Sequence, residues 1–260
     1  MKLLPLVTIG ITSYNSEKTI KKAIEGALKQ TWLNKEIIVV DDCSNDNSIK
    51  IIENSNYRKA IRLYKNIKNL GASESRNKII KESKGEIICF MDDDDWSMPN
   101  RVKKQMQAIF NSGYPNKRLI ACTASMERVY ENKFKRELIA MGSRGLVPKG
   151  EELANFILYF EKKHNVDYGF GLPTCSLTIT KDCFKKCGIF DKNLIRVEDL
   201  DMAIRLSFNN VIFTGVKEIL IKQTVSLREN KNPENNLNSE IKVIEKNKDY
   251  LINKKLFWHS

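Results

Sequence analysis

The sequence predicts an α/β protein on a doubly wound, mainly parallel sheet flanked by helices. Short β-branched runs alternate with segments of helical periodicity up to residue 110. Polar clusters follow three of the predicted strands, at 12–15, 41–46 and 92–95. In a parallel sheet all three fall along one edge, where open α/β sheets bind ligands.

The first strand is Leu6-Val7-Thr8-Ile9-Gly10-Ile11, and Ile20, Ala23, Ile24, Ala27 and Leu28 then recur at helical spacing, with Asn15 or Ser16 as cap. A second strand covers 36–40 and a helix follows through Ile49, Ile51 and Ile52. A third strand covers 61–64, and Asn69-Leu70-Gly71-Ala72 turns into a helix reaching Ser83. Gly85 precedes Ile87 to Met91, an apolar run that stops at Asp92-Asp93-Asp94-Asp95 and reads as a buried strand. Pro99 suits the first turn of a helix running through Phe110. The second half is less regular: a strand over 119–124, a charged loop or hairpin over 126–149, a helix over 151–160 and an alternating strand over 174–180. A short helix over 182–187 ends at Gly188, another is entered at Glu198-Asp199, and strands cover 211–214 and 216–221. The Asn-rich 230–238 reads as a linker before a basic amphipathic helix over 241–256.

At 260 residues the chain can bury a full core, and a net charge of +12, from 44 basic and 32 acidic residues, favours an anionic partner. No stretch approaches the roughly 18 apolar residues of a membrane span, and residues 1–11 read as a strand rather than a signal peptide. The six cysteines include no CxxC and several lie in apolar runs, so they are expected as reduced thiols of a cytoplasmic protein. Cys183 and Cys187 share a helix face, but with only two histidines in the chain a zinc site is not expected.

The four adjacent carboxylates raise one another's pKa, and a hard divalent cation with oxygen ligands would offset that. In an extended segment Asp92 and Asp94 point one way, Asp93 and Asp95 the other. The competing reading is a solvated acidic turn ahead of the Pro99 helix.

Five pieces in order resemble the family 2 glycosyltransferases, over about residues 5–228: Val7-Thr8-Ile9-Gly10-Ile11-Thr12-Ser13-Tyr14-Asn15; Ile38-Val39-Val40-Asp41-Asp42-Cys43-Ser44-Asn45-Asp46; Asn69-Leu70-Gly71-Ala72-Ser73-Glu74-Ser75-Arg76-Asn77; Gly85-Glu86-Ile87 through Asp92-Asp93-Asp94-Asp95-Trp96 to Pro99; and Gly188-Ile189-Phe190-Asp191 followed by Glu198-Asp199. The resemblance implies the GT-A fold with a smaller acceptor-side region, inversion at the sugar, and a nucleoside-diphosphate sugar as donor, most readily a UDP-sugar. It implies a saccharide or lipid-linked saccharide as acceptor, with its specificity in 126–174. The expected division is a nucleotide-binding half over 1–125, an acceptor half over 126–228, and a linker with basic helix over 229–260.

The resemblance also implies roles. Thr12 and Tyr14 border base and ribose; the competing reading of Tyr14 is packing on the first helix. Asp42 accepts a hydrogen bond from the base, since a carboxylate suits the ring N–H of uracil, thymine or guanine, and Asp41 holds the loop. Arg76 approaches diphosphate or base, or is a surface helix arginine. In the DxD motif, Asp94 is the expected direct ligand of Mg2+ or Mn2+, with Asp92 on ribose or metal and Asp93 where a smaller residue is common. Asp199, beside Glu198, is the general base, or alternatively an acid stabilising a helix dipole, and Asp201 is expected to contribute little. The family's histidine after the late strands has no counterpart in Ile221-Lys222-Gln223-Thr224-Val225-Ser226, which leaves Lys222 or Gln223 for phosphate.

A sugar-1-phosphate nucleotidyltransferase would carry glycines where Thr12-Ser13-Tyr14-Asn15 stands. A module binding anionic polymers or lipids would not gather acids at two strand ends, so no nucleic-acid partner is expected. Peripheral contact with an anionic membrane is expected through the basic tail, from Lys242, Lys246, Lys248, Lys254 and Lys255 with Ile241, Ile244, Leu251, Leu256, Phe257 and Trp258.

Overall fold

The computed structural model describes residues 4–130, 133–224 and 233–256. The elements run in order β1 Val7–Ser13, α1 Ile20–Leu28, β2 Lys35–Asp41, α2 Ser48–Glu53, β3 Arg62–Lys65, α3 Ala72–Glu82, β4 Ile87–Asp92, β5 Trp96–Ser97, α4 Arg101–Asn111, β6 Ile120–Val129 and β7 Lys135–Leu138. They continue with α5 Glu152–Tyr159, β8 Thr178–Thr180, α6 Lys181–Cys187, α7 Glu198–Phe208, β9 Ile212–Thr224, α8 Pro233–Lys246 and α9 Lys248–Asn253.

One mixed sheet has the order β3-β2-β1-β4-β8-β6-β9-β5, with β7 paired to β6. The strands β3, β2, β1 and β4 are mutually parallel, as the predicted α/β class requires. Both faces of these strands are covered. Ile38, Val40, Ile88 and Phe90 pack with Ile79 of α3 on one face. Ile37, Val39, Ile87 and Cys89 pack with Ile24 of α1 and Met106 of α4 on the other. The near-continuous apolar runs follow from this double burial. Gly10 is required by α3, because a Cβ there would lie 2.3 Å from Ile79 Cγ2.

The sheet curls. β5 follows β4 after three residues yet sits at the far end of the strand order. Four strand spacings of about 4.8 Å would separate them by roughly 19 Å in a flat sheet. The four residue steps from Asp92 to Trp96 reach about 14 Å at most. The acidic turn therefore spans the mouth of the curl.

Several expectations about elements are corrected. The two late strands are one, β9, with a register irregularity against β6 near Ser125. Gly215 interrupts the pattern because Met141 O approaches its backbone to within 2.1 Å of where a Cβ would stand. Residues 174–176 form a 3-10 turn and only Thr178–Thr180 pair as a strand; the Thr/apolar alternation imitates the strand period. In segment 126–149 the hairpin, one of the two expected readings, is the one observed, β6 with β7. Neither Asn15 nor Ser16 caps α1 through its side chain. Asn15 adopts φ 47°, and its Oδ1 accepts from Asn45 N at 2.8 Å instead.

The tail departs most from its reading. Residues 233–238 of the supposed linker are helical, Pro233 opening α8 where its missing N–H costs nothing. The remainder, 230–232, lies outside the described residues, as do Val225, Ser226, the 228/229 boundary, Phe257 and Trp258. The single helix over 241–256 is two, α8 and α9, and Val243 and Leu251 are buried with Ala154, Leu158, Leu194 and Ile204. Much of the stripe expected to face a membrane is thus spent on the domain. Among the described residues no helix is long and apolar enough to cross a membrane.

Candidate active site

Register brings the predicted residues together. Thr12 pairs with Asp92 across β1 and β4, and Ser13 pairs with Asp41 across β1 and β2, so the three polar strand ends are flush. Their loops then bind each other. Tyr14 N donates to Asp93 Oδ2 at 2.9 Å, and Asn15 N donates to Ser44 Oγ at 2.9 Å. Asp41 holds its loop as expected, accepting from Ser44 N at 2.9 Å and Ser44 Oγ at 2.6 Å. Asp42 is equally engaged: it accepts from Asn66 Nδ2 at 2.7 Å, Leu70 N at 2.9 Å and Gly71 N at 2.7 Å. A carboxylate offers about four lone-pair sites, so Asp42 keeps room for one further donor. Thr12 and Tyr14 are half-buried beside it along the edge.

The acidic run divides its work. Asp93 is 2% exposed and holds the β1 loop, so its carboxylate is tied to the protein's own backbone. Asp94 is half-buried. Asp92, Asp95 and Cys175 bring one ligand atom each within 4.8 Å of one another. Both Asp95 carboxylate oxygens are buried and without a hydrogen-bond partner. Burial, then the charges of Asp92 and Asp94, push Asp95 well above the usual carboxylate range, against the opposing effects of Arg101 and the Cys175 thiol. An orphaned buried carboxylate beside a second one fits a hard divalent cation. Cys175 fits it less well: burial, then Asp95 and Asp92, hold the thiol neutral. Sequence reading grouped Asp95 with Asp93, as one of two sets a metal could take, and gave Cys175 no site role. Asp95 stood visibly in the run, whereas Cys175 arrives through the unpredicted turn at 174–176.

Arg101 was missed altogether. It is fully buried, and its guanidinium donates to Gln105 Oε1 at 3.0 Å, Ser97 Oγ at 2.8 Å and Phe90 O at 2.9 Å. With only neutral hydrogen-bond partners, its charge is left to act on the acids above it. On the other flank Gln223, considered for phosphate, accepts from Arg128 Nε at 2.7 Å and donates to Cys175 Sγ at 3.5 Å. Lys222 is exposed opposite Trp96 on β5.

α3 joins the acidic turn to the Glu198-Asp199 pair. Ser73 Oγ donates to Leu194 O at 3.3 Å, and Asn77 exchanges two 2.9 Å hydrogen bonds with the Phe190 backbone. Between them Arg76 is buried; it pairs with Glu198 Oε1 through Nη1 and lies 3.4 Å from Asp92 Oδ1 through Nη2. Burial opposes its charge, but Glu198, Asp92 and Asp199 more than compensate and hold it protonated. The surface-arginine alternative is thereby excluded. Val197 precedes α7 at φ 55°, a left-handed conformation costly for a β-branched residue. Burial, then the Glu198 charge, push Asp199 up to about 6, with Arg76 and the Leu200 N–H opposing. Such a carboxylate is half ionised close to neutrality and suited to taking a proton.

The geometry is thus a curled sheet with a cation-ready acid cluster and a poised carboxylate linked by one buried arginine. The family model "Glycosyl transferase family 2" matches residues 8–176. The chain belongs to glycosyltransferase family 2. It is 38% identical over 215 residues to the Escherichia coli UDP-Glc:alpha-D-GlcNAc-diphosphoundecaprenol beta-1,3-glucosyltransferase WfaP, covering 82% of this chain and 73% of that protein. It resembles S. aureus TarS 1–349 in complex with UDP at TM-score 0.64 and 22% identity, over 92% of this chain and 63% of that one. GalNAc-T7 with UDP, GalNAc and Mn2+ matches at TM-score 0.68 and 14% identity, over 94% and 48%. These structures establish the GT-A fold. The chain spans less than two thirds of the length of several curated relatives and of both solved structures. As a family member it is a glycosyltransferase, and the nucleotidyltransferase and non-enzymatic alternatives fall away.

Proposed function

We propose that this glycosyltransferase moves a sugar from a UDP-sugar to a hydroxyl of a saccharide or lipid-linked saccharide, inverting the anomeric carbon. One observation carries the reading: a carboxylate poised at about 6 belongs to a second acidic group, Glu198-Asp199, which Arg76 joins to the orphaned cluster by pairing with both Glu198 and Asp92. A single displacement needs this division, because diphosphate and acceptor lie on opposite sides of the reacting carbon. Asp199 takes the proton of the acceptor hydroxyl while that oxygen attacks, and Glu198 holds Arg76 in place. Asp42 offers its remaining lone pair to the uracil N3–H, with Thr12 and Tyr14 bordering base and ribose. Arg76 supplies positive charge towards the departing diphosphate. Asp92, Asp94 and Asp95 would hold a divalent cation, Mn2+ or Mg2+, whose chemistry is to neutralise charge on the two phosphates. Asp93 serves the site indirectly by fixing the Tyr14 backbone.

The names of relatives support this choice of donor and acceptor: UDP-glucose and a diphosphoundecaprenol-linked sugar for WfaP, and UDP for TarS. Six free cysteines, five of them buried, support a reducing cytoplasmic compartment. Outward Leu237, Ile241 and Ile252 on the tail helices leave a reduced apolar surface for peripheral contact with anionic lipid. The test is a donor screen with UDP-, GDP- and dTDP-sugars in Mn2+, reading released nucleoside diphosphate. UDP-sugars should be turned over at least about tenfold faster than the others: thymine and guanine offer Asp42 the same ring N–H, so the ratio rests on the ribose 2′-hydroxyl that dTDP lacks, one hydrogen bond supplying about that factor, and on the larger purine of GDP. Equal turnover of dTDP-sugars, or none with any UDP-sugar, would reject the donor assignment.

A further inference from the structure

We propose that the C-terminal helices position the Asp199 carboxylate, with Lys246 of α8 as the positioning residue. The proposal rests on the reading of Asp199 as base.

The segment carrying Asp199 is a loop that leaves the core at Phe190 and re-enters it in the first turn of α7. Lys246 Nζ donates to Asp191 Oδ2 at 2.8 Å and to Asp201 Oδ1 at 2.5 Å. One ammonium thus closes the loop at both ends, with Val197, Glu198 and Asp199 between them. Asp201 is 2% exposed, and its other oxygen accepts from Arg205 Nε at 2.9 Å and Nη2 at 2.8 Å. Arg205 also donates to the carbonyls of Cys187 and Ile189, so the closure extends to the Gly188-Ile189-Phe190-Asp191 motif. Asp201, expected to contribute little, is the buried anion on which Lys246 and Arg205 converge.

A second tether lies on the same helix. Arg196 Nε donates to Asn236 Oδ1 at 2.9 Å, one residue before the left-handed Val197. A β-branched residue persists in that conformation only when its surroundings over-determine it. α3 holds the segment from one side through Ser73 and Arg76, and α8 holds it from the other. α8 can resist because Val243 is buried against the domain beside Leu194 and Ile204. The tail is therefore the outer wall of the catalytic loop and fixes where the Asp199 carboxylate stands.

The test uses the full chain and three variants, Lys246→Met, Lys246→Arg and Asn236→Ala. Turnover is read as UDP released, with water as acceptor, from whichever of UDP-glucose and UDP-N-acetylglucosamine the wild type hydrolyses faster. Misplacing a catalytic group by about 1 Å costs up to ~10²-fold. Lys246→Met should lower kcat about tenfold on that scale and leave the donor KM within about twofold, since the nucleotide edge is untouched. Lys246→Arg should recover most of the loss, which a purely apolar packing role would not predict. Wild-type kcat in Lys246→Met, or no recovery in Lys246→Arg, overturns the proposal. Should Lys246→Met fail to fold, Asn236→Ala decides. A kcat loss of about threefold or more at unchanged KM supports the tether, and wild-type kcat rejects it. Asp199→Asn separates the two readings. If it is inactive while Lys246→Met is fully active, only the positioning role is lost; if Asp199→Asn is fully active, the base assignment falls and the positioning role with it.

Discussion

Replacing Arg76 by methionine removes a cation shared by the two acid groups. The arginine side chain is 8% exposed, Glu198 13% and Asp92 26%. Deleting one partner of a buried ion pair costs about 3–5 kcal/mol, because the other charge is left without compensation. The Asp92 contact is longer, at 3.4 Å, and more exposed, so it adds less than about 1 kcal/mol. The native arginine already leaves its Nε unpartnered, which argues for the lower part of the range. A loss of about 3–4 kcal/mol corresponds to roughly 6–15 °C in Tm for a chain of this size. Calorimetry at pH 7, without nucleotide or metal, measures it. Activity should change as well: Arg76 is the charge that opposes the upward shift of Asp199, so the acid limb of the rate should move above about 6 in the variant. A Tm within about 2 °C of wild type would mean that this arginine does not hold Glu198 and Asp92, and the link between the two clusters would be refuted.

The remaining predictions concern the two ends of that link. With Asp199 as base and its pKa near 6, kcat/KM should be flat above pH 7 and fall about tenfold per unit below about 6; a limb near pH 4 would contradict the upward shift. An acid with a raised folded-state pKa retains its proton when the unfolded chain has released it, so this group's effect on stability worsens as pH rises from about 4 to about 6. Asp199→Asn should therefore be slower by about 10²–10⁴ yet at least as thermostable at pH 7. At the other end, Mn2+ and UDP together should stabilise the wild type by about 2.7 kcal/mol at a hundredfold excess over Kd, read as a higher Tm. Asp95→Asn and Asp94→Ala should each lose most of that gain; an undiminished gain in either variant removes that residue from the metal set.

What the sequence made legible follows from range. The strand–helix alternation, the flush polar edge and the entry to α7 at Glu198 are local patterns, and each was readable. Arg76 was readable as a motif residue but not as a buried bridge, because its partner Glu198 lies 122 residues on. Arg101 looked like any helix arginine; its burial depends on β5 lying across the curl, which no window of sequence contains. The tail misled for a physical reason. Amphipathicity states that a stripe will be covered but not by what, and here Ala154, Leu158, Leu194 and Ile204 cover it. The alternation at 174–180 misled because a Thr-rich turn and a strand share the same polarity pattern over so short a stretch.

Four adjacent aspartates are tolerable because the turn sends Asp92, Asp93 and Asp95 to different surroundings. Asp92 ends β4 in register with Thr12 and faces Arg76. Asp93 turns back and takes the Tyr14 N–H, so its charge stabilises the β1 loop. Asp94 is half-buried at the turn, and Asp95 passes inward towards Cys175 and the field of Arg101. The repulsion is therefore not shared equally. It concentrates on Asp95, which has burial and two neighbouring charges against it and no hydrogen bond for either oxygen. Removing the charge of Asp95 would relieve this strain in the empty protein, and a divalent cation would relieve it in the loaded one. Asp95, which disfavours the empty site, is thus a residue whose carboxylate gains from the metal, and this couples metal affinity to the same turn that closes the curled sheet.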